Sequence, residues 1–163
     1  MNQGEKANRN GRILEETVIP ALERNGYHVF LNSAVEKKPE LVYGLDRYAL
    51  KNVPYVTIYE SDGRTELVIV NKLKNREIRV EMKYQVAAGS VDEKYPYMLL
   101  NAIYKYPEKE VIFLVDGGGY KAGAREWIQK MIDENWLDYK SKGKRLRLMN
   151  LSQFINFVNV ELA

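Results

Sequence analysis

Residues 63–85 read GRTELVIVNKLKNREIRVEMKYQ, and this stretch decides the fold. Residues 65–71 are rich in β-branched side chains, residues 72–75 form a polar segment, and residues 76–84 alternate apolar and polar side chains. This pattern predicts a β-hairpin with a four-residue turn. Antiparallel strands joined in this way pair Asn71 with Arg76, so the numbers of facing residues sum to 147.

That register gives the hairpin one apolar face. The facing pairs on it are Leu67 with Val80, Ile69 with Ile78, and Thr65 with Met82. Because side chains alternate between the two faces of a strand, the residues between these pairs lie together on the opposite face.

The opposite face brings charged side chains together. Glu66 is predicted to lie directly across from Glu81, with Lys83 two residues further along the same face and Gln85 after it. Two carboxylates facing each other across a ladder repel by roughly 0.2–1 kcal/mol in water, and by more when half buried. Their Cβ atoms lie about 5 Å apart, so both can reach one hard cation, above all Mg²⁺. Lys83, about 7 Å along the strand, could orient or help deprotonate an attacking water.

The acid-x-Lys pattern is weak on its own because the chain contains it four times. It occurs at Glu36-Lys37-Lys38, Glu81-Met82-Lys83, Asp92-Glu93-Lys94 and Asp138-Tyr139-Lys140. Only the example at Glu81 lies in a predicted strand with an acid facing it. The competing interpretation is a solvated sheet face, on which Glu81 pairs with Lys83 or Arg64 for less than about 1 kcal/mol.

Composition excludes several classes of site and protein. The 163 residues suit a single domain over residues 1–163. The absence of cysteine excludes disulfides, thiolate zinc sites and a cysteine nucleophile, and His28 alone cannot form a His-rich metal site. No apolar run approaches about 18 residues, so neither a membrane span nor a signal peptide is expected. The net charge of +3 is compatible with a nucleic-acid partner but does not prove one.

The remaining elements are predicted from periodicity and turn residues. A helix is expected over residues 7–25, kinked or restarted at Pro20, with Gly11, Glu15, Val18 and Leu22 on one stripe. Strands are expected over residues 27–32, 55–60, 110–116 and 145–149, and residues 33–53 are expected to be loop with some helix. Further helices are expected over residues 91–105 and 122–136, and from Ser152 onward. The order predicts a mixed α/β sheet with helices covering its faces.

This order and these residues resemble the PD-(D/E)XK nuclease superfamily, the restriction-endonuclease-like fold, over roughly residues 7–136. The resemblance lies in Glu15 on the first helix, Glu66 on the second meander strand, Glu81-Met82-Lys83 on the third, and Gln85 just after it. It implies an αβββαβ core with a mixed central sheet flanked by helices. It also implies Mg²⁺-dependent phosphodiester hydrolysis, with Mn²⁺ able to substitute.

The resemblance also implies roles for individual residues. Glu66 and Glu81 would ligate the metal together with the carbonyl of Met82, and Lys83 would activate the attacking water. Glu15 would support the site or a second metal, and Gln85 would orient the lysine or a water.

The first acid departs from the pattern of the superfamily. The superfamily name promises Pro-Asp, whereas this chain has Thr65-Glu66. Pro39-Glu40 and Asp46 are rival positions for that acid, and Glu66 is preferred because it faces Glu81 in the predicted hairpin.

The resulting expectation is a metal-dependent DNA endonuclease, of restriction type or of junction-resolving or repair type. The alternative is a non-catalytic protein that binds nucleic acid or another partner and retains the nuclease fold. Duplex cleavage needs two active sites on antiparallel strands, so a two-fold homodimer is expected. The expected setting is cytoplasmic, in a prokaryotic or phage-like context.

Two basic runs are candidates for phosphate contacts, although such runs are usually solvated faces. The first comprises Lys140, Lys142, Lys144, Arg145 and Arg147, and the second comprises Lys72, Lys74 and Arg76 in the hairpin turn.

Overall fold

The predicted hairpin lies at the centre of a mixed β-sheet. A computed structural model describes residues 9–163, and this part of the chain forms one six-stranded sheet whose spatial order is the order along the chain. Its strands are β1 (His28–Leu31), β2 (Arg47–Val56), β3 (Asp62–Asn71), β4 (Arg76–Tyr84), β5 (Glu110–Asp116) and β6 (Arg145–Met149). Strands β2, β3 and β4 form an antiparallel meander, whereas β1 runs parallel to β2, and β5 and β6 run parallel to β4.

Helices cover both faces of this sheet. They are α1 (residues 9–24), α2 (Asn32–Lys37), α3 (Tyr95–Tyr104), α4 (Ala124–Asp133) and α5 (Leu151–Glu161). Short 3-10 turns occupy Pro39–Val42, Asp92–Lys94 and Trp136–Asp138.

Two hydrophobic clusters form the core, one on each side of the sheet. The cluster under α1 and α5 includes Leu14, Val18, Leu22, Leu67, Ile69, Val80, Met82, Leu114, Phe154 and Phe157. The cluster under α3 and α4 includes Met98, Leu99, Ile103, Val111, Phe113, Val115, Ile128 and Leu146. Because β5 contributes alternate residues to both clusters, it is buried on both faces, as its continuous apolar run predicts.

Helix α1 contains an irregular turn ahead of its proline. Leu14–Val18 is a π-helix in which the Ile19 N–H donates to the Leu14 carbonyl, and Ile19–Arg24 continues as α-helix. Pro20 has no N–H to donate, so a wider turn before it lets the chain continue without a break. The helix was expected to start at residue 7, but residues 7 and 8 lie outside the described part.

The predicted register of the hairpin is confirmed for most of its length. Leu67 pairs with Val80, Ile69 with Ile78, and Asn71 with Arg76. The expected pairings of Glu66 with Glu81 and of Thr65 with Met82 are wrong because the ladder between β3 and β4 ends at Leu67 and Val80. The Thr65 hydroxyl instead accepts a hydrogen bond from Arg79 Nη1 at 2.8 Å.

Strand β2 was predicted too short and too late. It begins at Arg47, within the segment expected to be loop, and ends at Val56. Pro54 lies inside it and still pairs with Arg64 of β3. This is possible because β1 pairs with β2 only as far as Lys51, so the other edge of β2 is open at Pro54 and needs no donor there.

Most other elements match their predictions. The bounds of β5 and β6 are those expected, and α3, α4 and α5 lie within or close to the expected ranges. The first helix, the three-strand meander, a helix and the buried strand β5 reproduce the expected αβββαβ core. The structure therefore confirms a restriction-endonuclease-like α/β fold.

Candidate metal centre at a strand fork

The candidate site lies where β3 and β4 separate. Beyond Leu67 and Val80, β3 continues beside β2 and β4 continues beside β5, so the two strands form a fork. The β2–β3 ladder is also irregular here, because Asn52 adopts a φ of +57° between two regular pairs. Leu67 packs under α1, whereas the Thr65 hydroxyl binds Arg79, so the alternation of side chains breaks at Glu66.

At the fork, side chains form hydrogen bonds with the backbone groups of β4 that β3 leaves without partners. Glu66 Oε2 accepts a hydrogen bond from the Met82 N–H at 2.9 Å. Asn10, from α1, donates Nδ2 to the Met82 carbonyl at 3.3 Å and accepts from the Tyr84 N–H at 2.7 Å. These bonds replace those that β3 would have made, because buried backbone groups must find partners. Glu66 is thereby fixed in the fork beside β4.

Glu81 and Lys83 project from β4 into the same region. The Lys83 ammonium contacts Glu81 Oε1 and also donates to the Met82 carbonyl at 3.2 Å. The other carboxylate oxygen, Glu81 Oε2, accepts a hydrogen bond from the Tyr106 hydroxyl at 2.9 Å. Glu81 is only 6% exposed, so both of its oxygens are held inside the protein.

Burial and the neighbouring charges together shift the pKa values of Glu66 and Lys83. Burial raises the pKa of Glu66 to about 7, with the Glu81 carboxylate adding to the rise and Lys83 opposing it. Burial alone would lower the pKa of Lys83, but the carboxylates of Glu81 and Glu66 outweigh it and raise that pKa above its ordinary value. Without a metal, Lys83 is therefore protonated, and its positive charge stabilises the carboxylates of both Glu81 and Glu66.

The structure places the other two predicted site residues further from this centre. Glu15 pairs with Lys51 at 2.6 Å and lines a cleft of about 420 Å³ that Glu66 also lines. Gln85 donates to the carbonyls of Ala87 at 2.8 Å and Gly119 at 3.1 Å. Catalytic roles for Glu15 and Gln85 stay predictions.

The rival acids lie elsewhere. Glu40 is in an exposed 3-10 turn, and the carbonyl of Asp46 accepts from Lys72 in the hairpin turn, at the end of β4 away from the fork. Only Glu66 of the candidate first acids lies beside Glu81.

The two predicted basic runs lie towards the end of the sheet that is away from the fork. Arg145 pairs through Glu110 with Ile78, five residues before Lys83 on β4, which corresponds to about 16 Å. Much of their charge is also already used, since Arg76 and Arg145 bind Glu110 and Lys144 Nζ binds the Glu108 carbonyl at 2.8 Å. Arg76, Arg145 and Lys144 therefore stabilise the fold through partners that no local sequence pattern indicates.

Two residues of the site were missed by sequence reasoning. Asn10 completes the edge of β4, and Tyr106 binds Glu81 from the loop before β5. Both contacts join residues far apart in the chain, and neither lies in a short motif. Asparagine so near the start of a predicted helix was the only available sign, and it is a weak one.

The donor set suits a small hard cation. Glu66, Glu81 and the Met82 carbonyl offer only oxygen ligands, as Mg²⁺ prefers, and Mg²⁺ usually keeps several waters and takes one or two carboxylates. Within residues 9–163 no group of three or more His, Cys, Asp or Glu residues is gathered for a metal. The ammonium of Lys83 already lies against two of the oxygens that a cation would take.

The fold and this cluster together define a nuclease-like α/β domain. A family model described as PD-(D/E)XK nuclease superfamily domain matches residues 6–162. The chain therefore belongs to the PD-(D/E)XK nuclease superfamily, whose members are generally nucleases that use divalent metals. Searches of curated proteins and of solved structures found no significant match. Among the helices of residues 9–163, none is long and apolar enough to cross a membrane.

Proposed function

We propose that this protein is a metal-dependent DNA endonuclease that hydrolyses phosphodiester bonds at the fork between β3 and β4. Glu66, Glu81 and the Met82 carbonyl would hold Mg²⁺, for which Mn²⁺ can substitute, and Lys83 would act on the attacking water. The observation that carries the proposal is the contact of the Lys83 ammonium with both Glu81 and the Met82 carbonyl, beside the half-buried carboxylate of Glu66.

This cluster has the charge and the donors that phosphodiester hydrolysis requires. A bound Mg²⁺ supplies the Lewis acidity that polarises a phosphate oxygen and stabilises the leaving oxygen. The carboxylates that raise the pKa of Lys83 would then also bind Mg²⁺. With their charge shared in this way, burial would favour the neutral amine of Lys83. In that state its Nζ can accept a proton from the attacking water. Glu81 would stay in place through its hydrogen bond to Tyr106.

The DNA backbone would approach from the fork end of the sheet. The cleft shared by Glu15 and Glu66 is also lined by Lys51 and Arg64. Arg64 is exposed, and no ion pair joins it to another residue within the described range. We assign Arg64 to a phosphate contact, in place of the two basic runs.

The test is incubation of the protein with supercoiled plasmid and with branched DNA, in Mg²⁺ or in EDTA, beside Lys83→Ala. We expect cleavage in Mg²⁺ only, and a rate lower by about 10²–10⁴-fold in the variant. Lys130→Ala is the matched control, because Lys130 lies on α4 in an exposed pair with Glu134. Its cleavage rate should equal that of the unmodified protein.

The outcomes separate the candidate functions. Cleavage that persists in EDTA and in Lys83→Ala would refute the proposed site. Binding of DNA without cleavage in any divalent ion would favour the non-catalytic alternative. Cleavage of branched DNA alone would select junction resolution over restriction.

Cleavage of both strands of a duplex further suggests a two-fold homodimer. Light scattering after size-exclusion chromatography, with and without DNA, measures the mass. A monomer on a duplex that it cuts in both strands would contradict this part of the proposal.

A further inference from the structure

The two carboxylate oxygens of Glu81 have different partners, and one of these is the hydroxyl of Tyr106. Its hydroxyl donates to Oε2 at 2.9 Å, while Oε1 contacts Lys83 on the side where the other candidate ligands lie. Tyr106 is 3% exposed and Glu81 6% exposed, so water cannot readily take the place of the hydroxyl. One oxygen of Glu81 is therefore held by the protein, and one is free to exchange partners.

The ring of Tyr106 is held from two sides. It packs edge-on against Tyr55, with ring centroids 4.7 Å apart, and the guanidinium of Arg79 lies 5.0 Å from its centroid. Arg79 is itself fixed by Glu108, through bonds of 2.5 and 3.0 Å. Lys144 Nζ donates to the carbonyls of both Tyr106 and Glu108 and so links these two residues. The hydroxyl therefore has little freedom to leave Glu81.

We propose that Tyr106 is a positioning residue that limits Glu81 to one-oxygen coordination and thereby biases the centre toward Mg²⁺ and against Ca²⁺. Mg²⁺ requires near-ideal octahedral geometry with short bonds, whereas Ca²⁺ takes six to eight oxygens and readily accepts a bidentate carboxylate. A carboxylate with one oxygen engaged by a tyrosine suits the first ion better than the second. The inference rests on the proposed function, since it assumes that Glu81 is a metal ligand.

Tyr106→Phe removes only the hydroxyl and keeps the ring between Tyr55 and Arg79. Tyr139→Phe is the matched control, because Tyr139 is also 3% exposed and its hydroxyl donates to the Ile132 carbonyl at 2.8 Å. Both variants lose one buried hydrogen bond, but only the first loses a bond to Glu81. A purely structural role for the Tyr106 hydroxyl would make the two behave alike toward metals.

The measurement is the dissociation constant of Mg²⁺ and of Ca²⁺ for the full chain without DNA, by isothermal titration calorimetry. In Tyr106→Phe we expect Ca²⁺ to bind about tenfold more tightly, in keeping with the worth of a hydrogen bond to a charged group, while Mg²⁺ affinity changes much less. In Tyr139→Phe the ratio of the two constants should stay that of the unmodified protein.

An unchanged ratio in a Tyr106→Phe protein that binds Mg²⁺ would overturn this inference alone. Failure of the unmodified protein to bind either ion would overturn the metal site of the proposed function, and this inference with it. Infrared difference spectra of the unmodified protein with and without Ca²⁺ give a reading that needs no variant. A carboxylate band typical of bidentate coordination would contradict the assignment, because Tyr106 holds one oxygen of Glu81 and the Met82 N–H holds one oxygen of Glu66.

Discussion

Strand β4 carries two groups of buried charge on one face of the sheet, and they differ in how well the charges match. Arg79 meets Glu108 one to one, and its guanidinium also binds Thr65 at 2.8 Å. Four residues further along, the single ammonium of Lys83 contacts Glu81 and also lies in the field of the Glu66 carboxylate.

Burial of charge alone does not mark a functional site. The pair of Arg79 and Glu108 has the partners it needs and has the character of a structural ion pair. The fork holds two carboxylates for one ammonium, and burial raises the pKa of Glu66 to about 7, with Glu81 adding to the rise and Lys83 opposing it. A local imbalance in an otherwise well-satisfied protein is where a ligand is expected.

The largest effect on stability should come from unbalancing the matched pair. Glu108→Gln leaves the buried charge of Arg79 without a counter-ion, and breaking such a pair costs about 3–5 kcal/mol of the free energy of unfolding. Urea denaturation at neutral pH measures it. Glu134→Gln breaks an exposed pair with Lys130 and should cost under about 1 kcal/mol. A similar small cost at Glu108 would show that the pair is not structural.

The corresponding substitution at the fork, Glu66→Gln, should increase the free energy of unfolding rather than decrease it. Glu66→Gln leaves Lys83 and Glu81 matched one to one, and the glutamine oxygen can still accept from the Met82 N–H. We expect the metal-free protein to be stabilised at pH 8 by about 1–3 kcal/mol, the scale that a shift of this size implies.

The pH dependence of that gain follows from the sign of the shift. The folded state binds the proton of Glu66 more tightly than the unfolded chain does, because the pKa rises from 4.5 to about 7. Stability from this group is therefore complete below pH 4.5 and is lost as the pH rises through 7. Denaturation of both proteins in EDTA at pH 4.5, 6 and 8 checks it. A difference in the free energy of unfolding that does not grow over this range would show that the pKa of Glu66 is not raised in the folded protein.

Removal of the ammonium should strengthen metal binding while it abolishes cleavage. Lys83 contacts Glu81 Oε1 and the Met82 carbonyl, so its charge competes with an incoming cation. In Lys83→Met we expect Mg²⁺ to bind about tenfold more tightly, or by about 1.4 kcal/mol, by calorimetry. Lys105→Met, which removes the partner of exposed Glu60, should not change Mg²⁺ binding. Weaker binding in Lys83→Met would mean that the ammonium supports the site.

Local patterns were sufficient to predict the centre of the fold. The turn at residues 72–75 and the alternation on either side of it fixed the register from Leu67 to Asn71, but the direct pairing of Glu66 with Glu81 that this register predicted does not form. Glu66 lies beside β4 through its hydrogen bond from the Met82 N–H. Continuous apolar residues likewise predicted β5, because a strand buried on both faces has no polar side to obscure it. These inferences needed only neighbours in the chain or across one turn.

The remainder depended on contacts that join distant residues. The end of the β3–β4 ladder could not be predicted, because it depends on Asn10 and Glu66 taking bonds that a strand usually takes. Tyr106 was missed for the same reason. Nor does the sequence reveal that a buried carboxylate or carbonyl already binds Arg76, Arg145 and Lys144, and a phosphate-contacting role for the two basic runs stays a prediction.

A surface arginine in the fork cleft and a lysine of the basic run should differ in their effect on DNA binding. Arg64 lines the cleft that contains Glu66, whereas Lys142 belongs to the basic run and donates to the Leu137 carbonyl at 2.5 Å. Arg64→Ala should weaken DNA binding about threefold and lower the salt dependence of the binding constant by about one unit of slope, as expected for one lost phosphate contact. Fluorescence anisotropy with a labelled duplex in Ca²⁺, over several salt concentrations, measures both quantities. Lys142→Ala should change neither, because its charge lies beyond the end of the sheet away from the fork. If Lys142→Ala lowers the salt slope and Arg64→Ala does not, the DNA lies along the basic run and the assignment of the fork cleft to the phosphate backbone is wrong.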